Sequence, residues 1–175
     1  MTTIPTPALV IRPITDDEYD AVGDLVVRAY LDAGHLDQDH GYDVVLRDVR
    51  ARAACGPVLV ATSGADPSTI LGSVTICPPG TAYAEIAQPD ETEFRFLAVD
   101  PAAARRGVAT ALVSACLDHA RAQGHRALVL SVIDWNEPGH RLYRNMGFVR
   151  VPERDWVPIP DIRLLVSELE LQARP

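Results

Sequence analysis

The stretch Ala127-Leu-Val-Leu-Ser-Val-Ile133 constrains the fold more than any other part of the chain. Only Ser131 interrupts its apolar run. A strand with one face in water alternates polar and apolar side chains. One that is apolar on both sides needs cover on both faces, which is how a central parallel strand reads. The segment before it, Gly107 to Gln123, is the cover for one face. Val108, Leu112, Cys116 and Ala120 form a helical stripe, with Ala109, Val113 and Leu117 beside it. Thr110, Ser114, Asp118 and Arg121 face away, and Gly124 stands where a left-handed residue closes a helix. Upstream, Glu93-Phe-Arg-Phe-Leu-Ala-Val99 is a strand closed by Asp100-Pro101. Strand, helix and strand in this order imply an α/β layered domain.

The remaining segments fit around that unit. Leu9 to Pro13 reads as a first strand. Thr15 and Glu18 form a capping box before a helix over 16–30, whose apolar residues are Tyr19, Val22, Leu25, Val26 and Ala29. The stretch Asp32 to Asp43, with two glycines and four aspartates, reads as a loop. One helix is expected from about His40 to Ala54, stopped by Gly56-Pro57. Val58–Thr62 and Ile70–Ile76 are strands around the turn Ser63-Gly-Ala-Asp-Pro-Ser68. Residues 81–92 are polar and irregular. A helix follows from about Pro138 to Met146, and Gly147 ends it. Phe148–Val151 and Arg163–Leu171 are the last two strands. There is no internal repeat or linker, and 175 residues suit a single domain over 1–175.

Composition excludes several classes of function. No apolar run reaches the ~18 residues of a membrane span, and the N-terminus lacks the pattern of a signal peptide, so the expected location is cytoplasmic, with no membrane partner. Cys55, Cys77 and Cys116 have no ligand spacing and read as buried thiols; the histidines are scattered, so no metal is expected. The net charge is −8, which leaves no basic stripe for nucleic acid. An acidic chain that binds a polyanion needs a local device for it. The turn Asp100-Pro-Ala-Ala-Ala-Arg-Arg-Gly-Val-Ala109 offers one. A helix start exposes about four unpaired amides and roughly half a positive charge. Gly107 lets a phosphate approach the backbone, Ala109 keeps the first turn small, and Arg105 and Arg106 add charge. An ordinary strand-to-helix turn with two solvated arginines is the alternative.

Glu93-x-Arg95-x-Leu97-Ala98-Val99-x-Pro101, followed by Arg105-Arg106-Gly107-Val108-Ala109, resembles the acetyl-CoA motif of the GNAT superfamily of N-acetyltransferases. In that motif, (Gln/Arg)-x-x-Gly-x-(Gly/Ala), Gly107 and Ala109 match, and Ala104 replaces the usual glutamine or arginine. Asn136-Glu-Pro-Gly-His-Arg-Leu142-Tyr143-Arg-Asn-Met-Gly147-Phe148 is similar to the family's Asn-x-x-Ala-x-x-Leu-Tyr-x-x-x-Gly-Phe, with Gly139 for the alanine. The resemblance implies the GNAT fold, an α/β (α+β) fold with a mixed sheet of about six to seven strands, helices on both faces, and splayed fourth and fifth strands. It implies acetyl-CoA as co-substrate, held by Leu97, Ala98, Val99, Arg105, Arg106, Gly107, Val108, Ala109, Thr110, Asn136 and Tyr143. Tyr143 is the expected acid for the CoA thiolate. Glu93, opening the fourth strand, is the expected base; Glu91, Asp90 and Glu85 are rivals, and a solvated carboxylate or a pair with Arg95 is the plain reading.

The resemblance implies transfer of an acetyl group to a primary amine. Asp32, Asp37, Asp39 and Asp43, together with Trp156 in the loop Glu153–Pro160, would suit a cationic acceptor such as a small molecule or a peptide N-terminus, unless they are merely solvated acids. Pairing into a homodimer is left open. A non-catalytic acyl-CoA sensor on the same fold is the main rival. A nucleotide-binding domain is weaker, since neither Gly-x-x-x-x-Gly-Lys-(Ser/Thr) nor Gly-x-Gly-x-x-Gly is present.

Overall fold

The computed structural model describes residues 8–36 and 41–172. Among these, eight strands form one sheet: β1 (Leu9–Pro13), β2 (Val58–Ser63), β3 (Asp66–Cys77), β4 (Glu91–Val99), β5 (Ala127–Ile133), β6 (Val149–Arg150), β7 (Trp156–Ile159) and β8 (Ile162–Glu170). Their order is β1-β2-β3-β4-β5-β8-β6, with β7 on a separate stretch of β8. The helices are α1 (Tyr19–Asp32), α2 (Tyr42–Arg47), α3 (Val49–Ala53), α4 (Val108–Ala122) and α5 (Glu137–Asn145). Val22, Leu25 and Val26 of α1 pack with Leu46 and Val49 on one face of the sheet. Leu112, Val113 and Cys116 of α4 pack on the other, as the stripe predicts.

Four expectations need correction. The helix expected over 40–54 is two helices. Asp48 (ψ 68°) breaks it and caps α3 by accepting the Ala51 N–H at 3.0 Å. The segment 153–160 contains a strand, β7, which Pro158 hides; proline is tolerated there because β7 is an edge. The turn after β2 is tight, so β3 begins at Asp66 rather than Ile70. Glu93 does not open β4. Glu91 and Thr92 precede it in the strand, both buried. Asp37, Asp39 and His40 of the acidic loop lie outside the described residues, as does the N-terminal segment 1–7. Asp32 and Asp43 belong to helices.

The capping box forms: Glu18 Oε2 accepts the Thr15 N–H at 2.9 Å. The same carboxylate holds Arg12 of β1 at 2.6 and 2.8 Å, tying α1 to the sheet edge. Hydrogen bonding by Arg12, against the opposing effect of burial and with help from Thr15, lowers the Glu18 carboxyl from 4.5 to about 2. A lowered folded-state value stabilises the protein above the unfolded value and is lost as pH falls through the folded one. Glu18→Gln is therefore expected to lower the melting temperature at pH 7. The deficit should shrink as pH falls from 4.5 towards about 2. A deficit that is constant across that window in thermal melts would remove the ion pair as its cause.

The sheet opens in the middle. β4 and β5 are the parallel pair, but their pairing is confined to Glu91–Glu93 opposite Ala127–Val129. Beyond it, β5 stays with β8 through all seven residues, so it has one parallel and one antiparallel neighbour. A bulge in β4 coincides with the opening. Thr75 pairs with Arg95 and Ser73 with Ala98, so β4 has one extra residue, and Phe96 takes a left-handed φ of 56°. An extra residue bends a strand and reverses which side chains face which way. Phe94 accordingly packs on the α4 face and Phe96 on the α1 face.

Candidate active site

The opening between β4 and β5 is flanked by the start of α4. Gly72 of β3 makes the approach of that helix close. A Cβ there would stand 2.8 Å from both the Ala98 carbonyl oxygen and Val108 Cγ1. The turn before the helix is organised by Asp100, whose Oδ1 accepts the Ala102 N–H at 2.9 Å and whose Oδ2 pairs with Arg28 of α1 at 2.9 Å. Arg105 and Gly107 then adopt left-handed φ values of 60° and 76°. Alternation of this kind turns successive N–H groups into one concavity. The first helical bond is Ala111 N–H to the Gly107 carbonyl at 3.0 Å. No acceptor among the described residues takes the N–H groups of Arg105, Arg106, Gly107, Val108, Ala109 or Thr110. Donors left this way suit an anion, and Arg105 and Arg106 stand exposed beside them.

Leu97, Ala98 and Val99 lie on β4 past its last pairing with β5. Asn136 caps α5: its Oδ1 accepts the Gly139 N–H at 2.9 Å, which leaves its Nδ2 for other partners. His140 Nε2 lies 3.2 and 3.1 Å from the carbonyl oxygens of Ile133 and Asp134, fastening α5 to the end of β5. Tyr143 is thereby directed inward, 9% exposed. Phe94 and Phe148 hold its ring at centroid distances of 5.9 and 5.7 Å. Burial raises its phenol well above the ordinary range, so it is protonated at neutral pH.

Glu93 is fully buried. Its Oε2 accepts the N–H groups of Glu85, Ile86 and Ala87 at 2.8, 3.0 and 3.2 Å, and its Oε1 is enclosed without a partner. Burial raises its carboxyl above the ordinary range, opposed by those three amides and by the charge of Arg95. The rival carboxylates are engaged differently. Glu91 is saturated by Arg154, Arg126 and the Gln88 N–H. Asp90 pairs with Arg126, and Glu85 with Arg95 at 3.3 Å. Glu93 and Glu91 together order four consecutive amides, 85 to 88, of the segment that reads as irregular in sequence.

The structure also gathers residues that sequence reasoning does not single out. Arg52 of α3 is 1% exposed. Its guanidinium lies 4.4 Å from the Phe96 ring centroid, and that of Arg95 lies 4.7 Å from the same ring. Tyr83 packs edge-on to Phe96 at 5.9 Å. One signal for Arg52 exists in the sequence: with Leu46 and Val49 it shares a three-residue spacing, an arginine in core phase. Trp156 is placed in β7 with its Nε1 enclosed and unpartnered, and no arginine stacks on it among the described residues. No group of metal-ligating side chains occurs among the described residues, and no helix is long and apolar enough to cross a membrane.

Residues 20–148 match the family model described as the acetyltransferase (GNAT) family. Among solved structures, yncA of Salmonella typhimurium, determined with its cofactor acetyl-CoA, superposes with a TM-score of 0.70 at 21% identity, over 95% of this chain and 96% of that one. A GCN5-related N-acetyltransferase from Kribbella flavida gives 0.67 at 23% identity, over 94% and 98%. The ribosomal-protein-S18-alanine N-acetyltransferase of Escherichia coli gives 0.69 at 17%, over 96% and 97%. A search of curated proteins finds no match.

Proposed function

We propose that this chain, which belongs to the GNAT acetyltransferase family, moves an acetyl group from acetyl-CoA to the nitrogen of a primary amine. The observation that carries the reading is the run of six consecutive unpartnered amides, Arg105 to Thr110, at the mouth of the β4–β5 opening. The residues present fit the co-substrate. The amides and the two arginines suit its pyrophosphate. The unpaired edge of β4 at Leu97–Val99 suits the amide groups of its pantetheine arm, and Asn136 Nδ2, which the α5 cap leaves unused, suits a further contact to it.

Acetyl-CoA supplies a thioester, whose C–S bond breaks as the amine nitrogen bonds to the carbonyl carbon. The chain's own groups do the rest. Backbone N–H groups at Leu97–Val99 hold the thioester oxygen as negative charge develops on it; preorganised donors of this kind are usually the largest catalytic contribution. Glu93 takes the proton that the amine loses, directly or through a water. Its raised carboxyl makes it a better base than an exposed glutamate. Tyr143 offers its hydroxyl hydrogen to the departing sulfur, and the two protons re-equilibrate through solvent. The free acceptor is an ammonium ion near neutral pH, so the acidic groups of the α1–α2 region suit its approach.

Calorimetric titration with acetyl-CoA beside ATP tests the first half of this reading. Micromolar binding with ATP clearly weaker is the expected result; no binding would reduce the family relationship to fold alone. CoA release on adding amines tests the second half and separates an enzyme from a non-catalytic sensor. Glu93→Gln keeps the acceptor for the three amides and removes the base. It is expected to lower turnover by roughly 10²-fold or more while the acetyl-CoA dissociation constant stays within about threefold. Unchanged turnover near neutral pH would take the base role from Glu93.

A further inference from the structure

We infer that the acceptor is a zwitterionic amine of the amino-acid type, whose carboxylate is paired by Arg95 in front of Arg52 while its amine faces Glu93. The inference rests on the acetyltransferase reading and adds the chemical class of the acceptor. Arg52 is a buried cation with no carboxylate within ion-pair distance among the described residues. Its Nη1 donates to the carbonyl oxygens of Val45 and Leu46 at 2.7 and 2.9 Å. Its Nε is enclosed without a partner. Two carbonyls and a ring face compensate a buried guanidinium only in part. Arg95 brings a second positive charge to the same ring. Its partners are the Tyr83 carbonyl at 2.9 Å and the half-exposed Glu85 at 3.3 Å.

Two like charges on one phenylalanine repel each other, and Glu85, 3.3 Å from Arg95 and 40% exposed, offsets only one of them, so a further oxyanion in the cluster would relieve both. The opposite defect lies close by. Glu93, two residues before Arg95 on the same face of β4, has its Oε1 enclosed and unpartnered. One unpartnered cationic atom and one unpartnered anionic atom in one cluster call for a ligand that bears both signs. Tyr30, Tyr42 and Tyr83 pack against the same core cluster as Phe96. With Phe96 these rings wall the cluster, which suits the carbon frame between the two charges. Arg95, whose side chain is 17% exposed, is the arm reached first from solvent. A planar carboxylate matches a guanidinium fork better than other small anions do.

The test uses matched pairs: L-leucine with 3-methylbutylamine, L-phenylalanine with 2-phenylethylamine, and 4-aminobutanoate with propylamine. CoA release is read at a pH where the members of a pair are comparably deprotonated. The carboxylate member of at least one pair is expected to show kcat/KM at least about tenfold higher. Arg95→Met should bring that ratio to near one while the acetyl-CoA dissociation constant, measured by calorimetry, does not move. Arg52→Met should lower the ratio in the same direction. Saturation-transfer NMR on the same pairs without acetyl-CoA reads the acceptor site alone. No acetyl-CoA binding, with the preference retained in the NMR experiment, would therefore fault the acetyltransferase reading while supporting the Arg95 site for an amino-acid-type ligand. Equal signals and equal kcat/KM across all pairs, or an Arg95→Met loss that is the same for both members, would overturn it.

Discussion

Replacing Gly107 by valine is expected to weaken acetyl-CoA binding by about 100-fold and to leave the protein folded. Gly107 holds a φ of 76°, in the left-handed region, at the start of α4. An L-residue there costs about 1–2 kcal/mol, and a β-branched one more. The turn would relax to negative φ, and the peptide planes on either side of residue 107 would rotate. The amides from Arg105 to Thr110 would then no longer converge. Folding should survive, because a Cβ at Gly107 meets nothing within 4 Å in the protein itself. The melting temperature without ligand should therefore fall by only a few degrees, about 2–4 °C per kcal/mol for a chain of this size. Calorimetry and a thermal melt on the same sample make the measurement. A dissociation constant within about threefold of the parent's would mean that the anion is not held by this turn.

The second large effect is on stability. Glu91→Ala is expected to cost about 3 kcal/mol, because it removes a fully buried carboxylate that holds the partly exposed Arg154 and Arg126 at the sheet end. Glu91 accepts from Arg154 at 2.9 and 3.0 Å, from Arg126, and from the Gln88 N–H at 2.9 Å. Arg154 also reaches Glu168 of β8 at 3.6 Å, and Arg126 reaches Asp90 at 3.4 Å. The network therefore clamps β4, β5 and β8 at the one place where β4 and β5 are paired. Although burial pushes the Glu91 carboxyl up, hydrogen bonding by Arg154 and Gln88 and the charges of both arginines bring it below its ordinary value. A melting temperature lowered by about 10 °C is the readout. The double variant Glu91→Ala with Arg154→Met should lose less than the sum of the single losses, since it leaves fewer charges without partners. A loss under about 1 kcal/mol would show that Arg126 and Arg154 find other partners, and the clamp would not be real.

Much of the site is legible along the chain because its parts are local. The proposed cradle is one turn and one helix start, so Gly107, Ala109 and the arginines can be read from a window of ten residues. The helix that carries Tyr143 is equally local, with Asn136 as its cap and Gly147 as its end. The α4 stripe and the bounds of β5 are where the periodicity puts them. The proposed acceptor side is not local. Arg52 comes from α3, Arg95 and Phe96 from β4, and Tyr83 from the loop between β3 and β4. No spacing along the chain relates them. The acidic loop and Trp156 stand out in sequence because charge and indole are conspicuous there, whereas the only mark of Arg52 is its core phase with Leu46 and Val49.

The sequence by itself determined the α/β layering, the order of β1 to β5, the helices α1, α4 and α5, and the turn over residues 100–109 to which the proposed function assigns the phosphates. These follow from hydrophobic period, caps and glycine positions, which act over a few residues. Only the tertiary structure decided three things. It placed Glu91 and Thr92 inside β4, because buried polar residues are tolerated where arginines and a histidine from distant elements satisfy them. It set Phe94 and Phe96 on opposite faces, because the bulge inserts one residue against β3 and reverses the alternation that a two-residue period predicts. And it stacked Arg52 with Arg95 on Phe96, because the helix break at Asp48 turns α3 onto that face of the sheet. Each depends on groups far apart in the chain meeting in a low-dielectric interior, where an unpaired charge or an extra residue is too costly to be left as local propensity alone would place it.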